Sequence, residues 1–87
     1  MDISTLGQFI RWKRTMLGMS QQRVTDKAHE SVPGMRGFQR AAVAHWEMDK
    51  RIPNHSQARA LGDALELSDL ERGQLVELII EAETAKA

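Results

Sequence analysis

Between Gly37 and Glu47 the chain reads GFQRAAVAHWE, and the hydrogen-bonding side chains of this stretch are its most chemical feature. A glycine turn leads into a short helix on which Val43 and Trp46, three residues apart, share an inward face. Gln39, Arg40, Ala41, Ala44 and His45 take the remaining outward faces. Small alanines set among Gln, Arg and His suit a helix that comes very close to a partner and hydrogen-bonds it. A solvated face would more usually carry Glu–Lys pairs. Such a helix is expected to enter the DNA major groove. Arg40 can make a bidentate contact to guanine O6/N7, and Gln39 can pair with adenine N6/N7. His45 can donate to guanine or a phosphate, or be an ordinary exposed histidine. Ala41 and Ala44 permit close approach and can touch a thymine methyl.

Enzyme chemistry has little to work with. No Ser/His/Asp or Cys/His set stands on a recognisable spacing, and no glycine-rich phosphate loop occurs. The histidines at 29, 45 and 55 form no His-x-x-x-His pair and have no cysteine partners, so neither a metal nor another cofactor is expected.

The reading helix needs a scaffold, and 87 residues are enough for one small helical domain with a single core. Cysteine is absent, which fits a reducing cytoplasm. No apolar run approaches a membrane span, and no signal-peptide pattern opens the chain. Net charge is zero but unevenly spread. Residues 1–55 carry nine Lys/Arg against five Asp/Glu, a charge of +4, and residues 56–87 carry three against seven, a charge of −4. A basic half joined to an acidic half suggests one face for phosphate and another for something else, unless it is plain surface heterogeneity.

Strand patterning is absent, and five helices put the chain in the all-α class. Met1–Thr5 reads as a frayed polar arm. Leu6, Phe9, Ile10, Lys13, Met16 and Leu17 predict a first helix from about Thr5 to Leu17, closed by Gly18 as a left-handed cap, with Met19 tucked into the core. Ser20 caps a second helix, Gln21 to about His29, with Val24 and Ala28 inward. His29–Arg36, HESVPGMR, is irregular around a Val32–Pro33–Gly34 turn. Asn54 caps a fourth helix, about His55 to Leu65, with Ala58, Leu61, Ala64 and Leu65 inward. Ser68 and Glu71 form a capping box for the last helix. There Leu75, Val76, Leu78, Ile79, Ile80 and Ala82 cover an arc of roughly 200°, wider than the ~100° stripe that docks one helix on a core. Some of that surface is expected to meet a second chain; deep burial of the helix is the alternative.

Leu6–Gly7, Ile10–Arg11, Arg14, Leu17–Gly18–Met19–Ser20–Gln21, Ala28, Gly37, Val43, Trp46–Glu47, Pro53 and Ala64–Leu65 together resemble the helix-turn-helix of the phage-repressor and Cro-like (XRE) family. The likeness runs from Leu6 to about Leu70. It implies a five-helix phage-repressor-like domain over residues 1–87, with a motif-bearing core at 6–67 and a C-terminal dimerisation helix and tail at 68–87. Helices two and three would form the motif, with helix three in the major groove. The resemblance places Arg14 and Glu47 in a partly buried structural ion pair. Phosphate contacts are expected from Gln21 at the start of helix two, and from Arg23, Arg36, Lys50, Arg51 and Asn54. Trp12 and Trp46 are expected to pack rather than stack on bases. HESVPGMR departs from the family's tight turn as an insertion, either a passive bulge or a basic finger in which Arg36 meets phosphate or the minor groove.

The function so implied is a cytoplasmic, prokaryotic transcriptional repressor, binding a pseudo-palindromic double-stranded DNA operator as a homodimer. Leu75, Val76, Leu78, Ile79 and Ile80 are the expected dimerisation residues. Two alternatives keep the fold. One is an antitoxin whose C-terminal half binds a toxin; the other is an interaction module that does not bind DNA.

Overall fold

Polar residues at the ends of each helix set the boundaries in a computed structural model that describes residues 3–86. Five helices follow in order: α1 (Leu6–Met16), α2 (Gln21–Ser31), α3 (Arg40–Glu47), α4 (His55–Ala64) and α5 (Asp69–Lys86). Among the described residues there is no strand, so the chain is all-α. Thr5 and Gln8 cap α1 reciprocally, as do Asn54 and Gln57 for α4. Ser20 accepts from the Arg23 amide at α2, and Ser68 and Glu71 close the expected box at α5. Each such side chain satisfies amides that the first helical turn leaves free.

Three helices end in the same way. Beyond α1, Gly18 takes a φ of +67° and the Met19 amide reaches back to the Arg14 carbonyl at 3.1 Å. Asp49 after α3 and Glu66 after α4 adopt φ of +57° and +54°, closing equivalent turns without glycine. Positive φ costs an L-residue about 1 kcal/mol or more. The Asp49 carboxylate offsets that cost by accepting from Thr5 Oγ1 at 2.9 Å and the Gly7 amide at 2.8 Å, which joins α3 to the start of α1.

The core gathers Leu6, Phe9 and Ile10 of α1, Val24 and Ala28 of α2, Val43 and Trp46 of α3, Ala60, Leu61, Ala64 and Leu65 around α4, and Leu75 of α5. α2 packs chiefly on α4, α3 sits against α1 and α2, and α5 lies over α1 and α4. No helix among the described residues is long and apolar enough to cross a membrane.

Several expectations need correction. Met1 and Asp2 of the supposed frayed arm lie outside the described residues, but Ile3 packs on the core and Ser4 hydrogen-bonds Gln8. Met16 and Leu17 are exposed, because α1 ends before its apolar stripe completes another turn over the core. α2 runs two residues past His29 to Ser31, since nothing before the Val32–Pro33–Gly34 turn breaks it. Leu75 is 2% exposed, so its surface is spent inside the chain and is not offered for dimerisation. Leu78 and Ile79 are half-buried against the same core; of the expected dimerisation set, only Val76 and Ile80 stand clear.

Candidate nucleic-acid interface

The short helix α3 turns Val43 and Trp46 inward and leaves Gln39, Arg40 and Ala41 exposed, with Ala44 and His45 half-exposed beside them. Gln39 occupies the N-cap position, yet its side chain makes no capping bond. Its carboxamide is therefore free for an outside partner. Among the described residues Arg40 has no ion-pair partner. Arg40, Ala41, Ala44 and His45 share the side of the helix turned away from Val43 and Trp46, while Gln39 stands at its N-cap. That side carries one more member. Met48, 55% exposed at the C-cap, stands one turn beyond Ala44 and extends the face with a flexible apolar group. Its place in a polar connection hid it, although the i, i+4 spacing from Ala44 was in plain view.

Besides the Asp49 bonds, three contacts hold α3 in place. Arg14 of α1 meets Glu47 in a bidentate pair, Nε–Oε2 at 2.6 Å and Nη2–Oε1 at 2.9 Å, and its third nitrogen donates to the Met19 carbonyl at 2.9 Å. The two side chains are only 14% and 5% exposed. Their hydrogen bond holds the Arg14 guanidinium pKa above its usual value, against the opposing effect of burial. Gly7 makes the second contact. A Cβ there would lie 2.5 Å from the Glu47 carbonyl oxygen, so only glycine lets the first turn of α1 close on the last turn of α3. The third is aromatic. Phe38 is fully buried and meets Trp46 edge-on at 5.0 Å, while His29 Nε2 lies 2.6 Å from the Phe38 carbonyl oxygen.

No family model, curated protein or solved structure matches this chain.

The expected phosphate contacts divide into two groups. Arg36, Lys50 and Arg51 are exposed and, among the described residues, in no ion pair. They stand in the segments just before and just after α3. The other three side chains are already engaged. Gln21 Nε2 turns inward to Glu47 Oε1 at 3.3 Å, so at the start of α2 the backbone amides, rather than this side chain, remain for an anion. Asn54 spends its carbonyl oxygen on the Gln57 amide at 2.8 Å. Arg23 pairs with Glu30 at 3.2 Å, an exposed contact of little strength.

The segment His29–Arg36 is tied down at both ends. His29–Ser31 prolong α2, Val32 and Met35 pack against the core, and Gln57 Nε2 donates to the Gly37 carbonyl at 3.2 Å. Phe38, the residue that anchors the far end, was not anticipated as core; it falls in an irregular stretch where periodicity gives no signal. Trp12 packs on Phe9 at 5.9 Å and Trp46 is buried, both as packing residues.

Proposed function

We propose that this chain is a sequence-specific DNA-binding transcriptional regulator of the helix-turn-helix type, similar to the phage-repressor family, in which α3 enters the major groove. The observation that carries the reading is the outward face of α3. Arg40, Ala41, Ala44 and His45 lie together there, with the side chain of Gln39 uncommitted at the N-cap, on a helix whose other face is fixed by buried contacts. Arg40 bonds guanine, Gln39 bonds adenine, and the alanines and Met48 fit against thymine methyls. Arg36, Lys50 and Arg51 flank the helix as unpaired cations and take the phosphates on either side. Two copies act on a pseudo-palindromic operator, each supplying one α3 to a half-site. The chain works as a repressor without catalysis or cofactor.

Selection of bound sequences from a random duplex library, at two salt concentrations, tests this reading. A recovered two-fold-symmetric motif supports it. With three flanking cations and Arg40 engaged, log K should fall against log salt with a slope of roughly −3 to −4 per chain. Salt-dependent binding with no recovered motif would contradict base reading by α3, and no retention at low salt would remove DNA as the partner.

A further inference from the structure

Among the described residues, α3 is the one helix that begins without a side-chain cap. Thr5, Ser20, Asn54 and Ser68 each accept from an amide of the helix they open, whereas Gln39 makes no such bond. An uncapped start frays unless the chain leading into it is fixed by something else. Two side chains from other helices do this. His29 Nε2, in the last turn of α2, lies 2.6 Å from the Phe38 carbonyl oxygen. A carbonyl only accepts, so this nitrogen carries the proton and donates. Gln57 Nε2, in the first turn of α4, donates to the preceding carbonyl, that of Gly37, at 3.2 Å. Consecutive peptides just ahead of Gln39 are thus gripped from α2 and from α4.

Both donors are themselves held. The other end of the Gln57 carboxamide accepts from the Asn54 amide at 2.9 Å, so the capping box of α4 sets its orientation. The His29 ring stands edge-on to Phe38, with 80° between planes and 6.3 Å between centroids. Phe38 is in turn fully buried against Trp46. Gly37 completes the fit. Its φ is +79°, and a Cβ there would lie 2.9 Å from Gln57 Nε2, so a side chain would strain the turn and crowd the donor.

We propose that His29 and Gln57 are positioning residues for base recognition, acting through the Phe38 and Gly37 backbone to set where the Gln39 carboxamide meets a base. The inference rests on the DNA reading proposed above and gives a part in it to two residues behind the reading face. Gln39 directly follows the Phe38 carbonyl, so a shift of that peptide moves its side chain. Residues further along α3 are held separately, by the Arg14–Glu47 pair and the packing of Trp46. Loss of the grip is therefore local. Discrimination at the base pair read by Gln39 falls, and the rest of the motif stays.

Library selection with variants of the full chain tests it, Gln39→Ala marking the base pair that Gln39 reads. His29→Leu removes one donor. Gln57→Glu removes the other while keeping the acceptor that the α4 cap needs. Each should lower preference at the marked base pair roughly five- to tenfold, about the effect of one hydrogen bond, and leave preferences elsewhere unchanged. His29→Gln, whose Nε2 can still donate, should keep the wild-type preference. Without DNA, exchange of the Val43 amide, bonded to the Gln39 carbonyl at 3.1 Å, should quicken in His29→Leu and not in His29→Gln. Should His29→Leu fail to fold, Gln57→Glu decides. A marked base pair that keeps its preference, an equal loss at every position, or a loss in His29→Gln as great as in His29→Leu would each overturn the assignment, as would a Gln39→Ala that marks no position. If the wild type selects no motif, the DNA reading falls and this role with it; if it selects one that the variants leave intact, only the positioning role falls.

Discussion

The outward faces of α3 and α5 are both left open by the fold, but their chemistry and their anchoring differ. On α3 the exposed groups are donors and small residues, and the helix beneath is held by a buried bidentate ion pair, a glycine contact and an aromatic pair. On α5 the exposed centre is apolar. Its polar ties to the rest of the chain are the more exposed contacts of Glu71 with Lys13 and Arg72 with Asp63. A helix that must present hydrogen-bonding groups in fixed register gains from buried, directional anchors. A helix that meets a partner through apolar contact tolerates adjustment, because that contact is non-directional.

Breaking the anchor of α3 should have the largest effect. Glu47→Ala leaves the Arg14 guanidinium buried without its partner, a loss on the order of 3 kcal/mol that lowers Tm by roughly 12–24 °C. Replacing both partners with apolar residues, Arg14→Met with Glu47→Leu, should recover much of that loss. Thermal unfolding of the single and double variants measures both. If Glu47→Ala melts like the wild type, the ion pair does not hold α3.

Gly7→Ala comes next. Its methyl must displace backbone rather than a mobile side chain, at a cost of about 1–3 kcal/mol in chemical denaturation. Gly73→Ala, on the open face of α5, should instead stabilise the isolated chain by up to about 1 kcal/mol. Equal responses at the two glycines would erase the distinction between the faces.

Lys50→Ala acts at the rim of α3. It should leave stability unchanged, weaken binding to all DNA sequences alike, and reduce the salt slope by about one. Titrations at several salt concentrations check this, and an unchanged slope would place Lys50 away from phosphate.

Acid should produce the mildest change, and on the α4–α5 side. The Ser31 hydroxyl and Arg72 hold the Asp63 carboxyl below its usual range; Lys27 does the same for Glu66, and the Ser68 amide with Lys13 for Glu71. Because these folded-state values are depressed, their contribution is present above the ordinary carboxylate range, about pH 4, and is lost as pH falls through the folded values. Hydrogen exchange under acid should therefore rise in α5 before α3. The reverse order would contradict the assignment of the weaker ties to α5.

Much of this contrast was legible in the residues, for identifiable reasons. Ser20, Asn54 and Ser68 are local caps whose partners lie three residues away, so chain order alone reveals them. Val43 and Trp46 follow helical spacing, which fixes the outward face of α3 by subtraction. Long-range contacts leave no such trace. The Asp49 bonds to Thr5 and Gly7 span more than forty residues, and Gln21 turns toward Glu47 across the fold. On α5 the apolar arc was visible, but its division was not. Leu75 is buried while its neighbour Val76 is open, a choice made by where α1 and α4 stand.

The most direct test compares wild type with Arg40→Ala on the library-selected sequence and on random duplex at one salt concentration. Discrimination should fall roughly tenfold to a hundredfold, with helicity and Tm unchanged. An unchanged ratio on a folded variant would contradict base reading by α3.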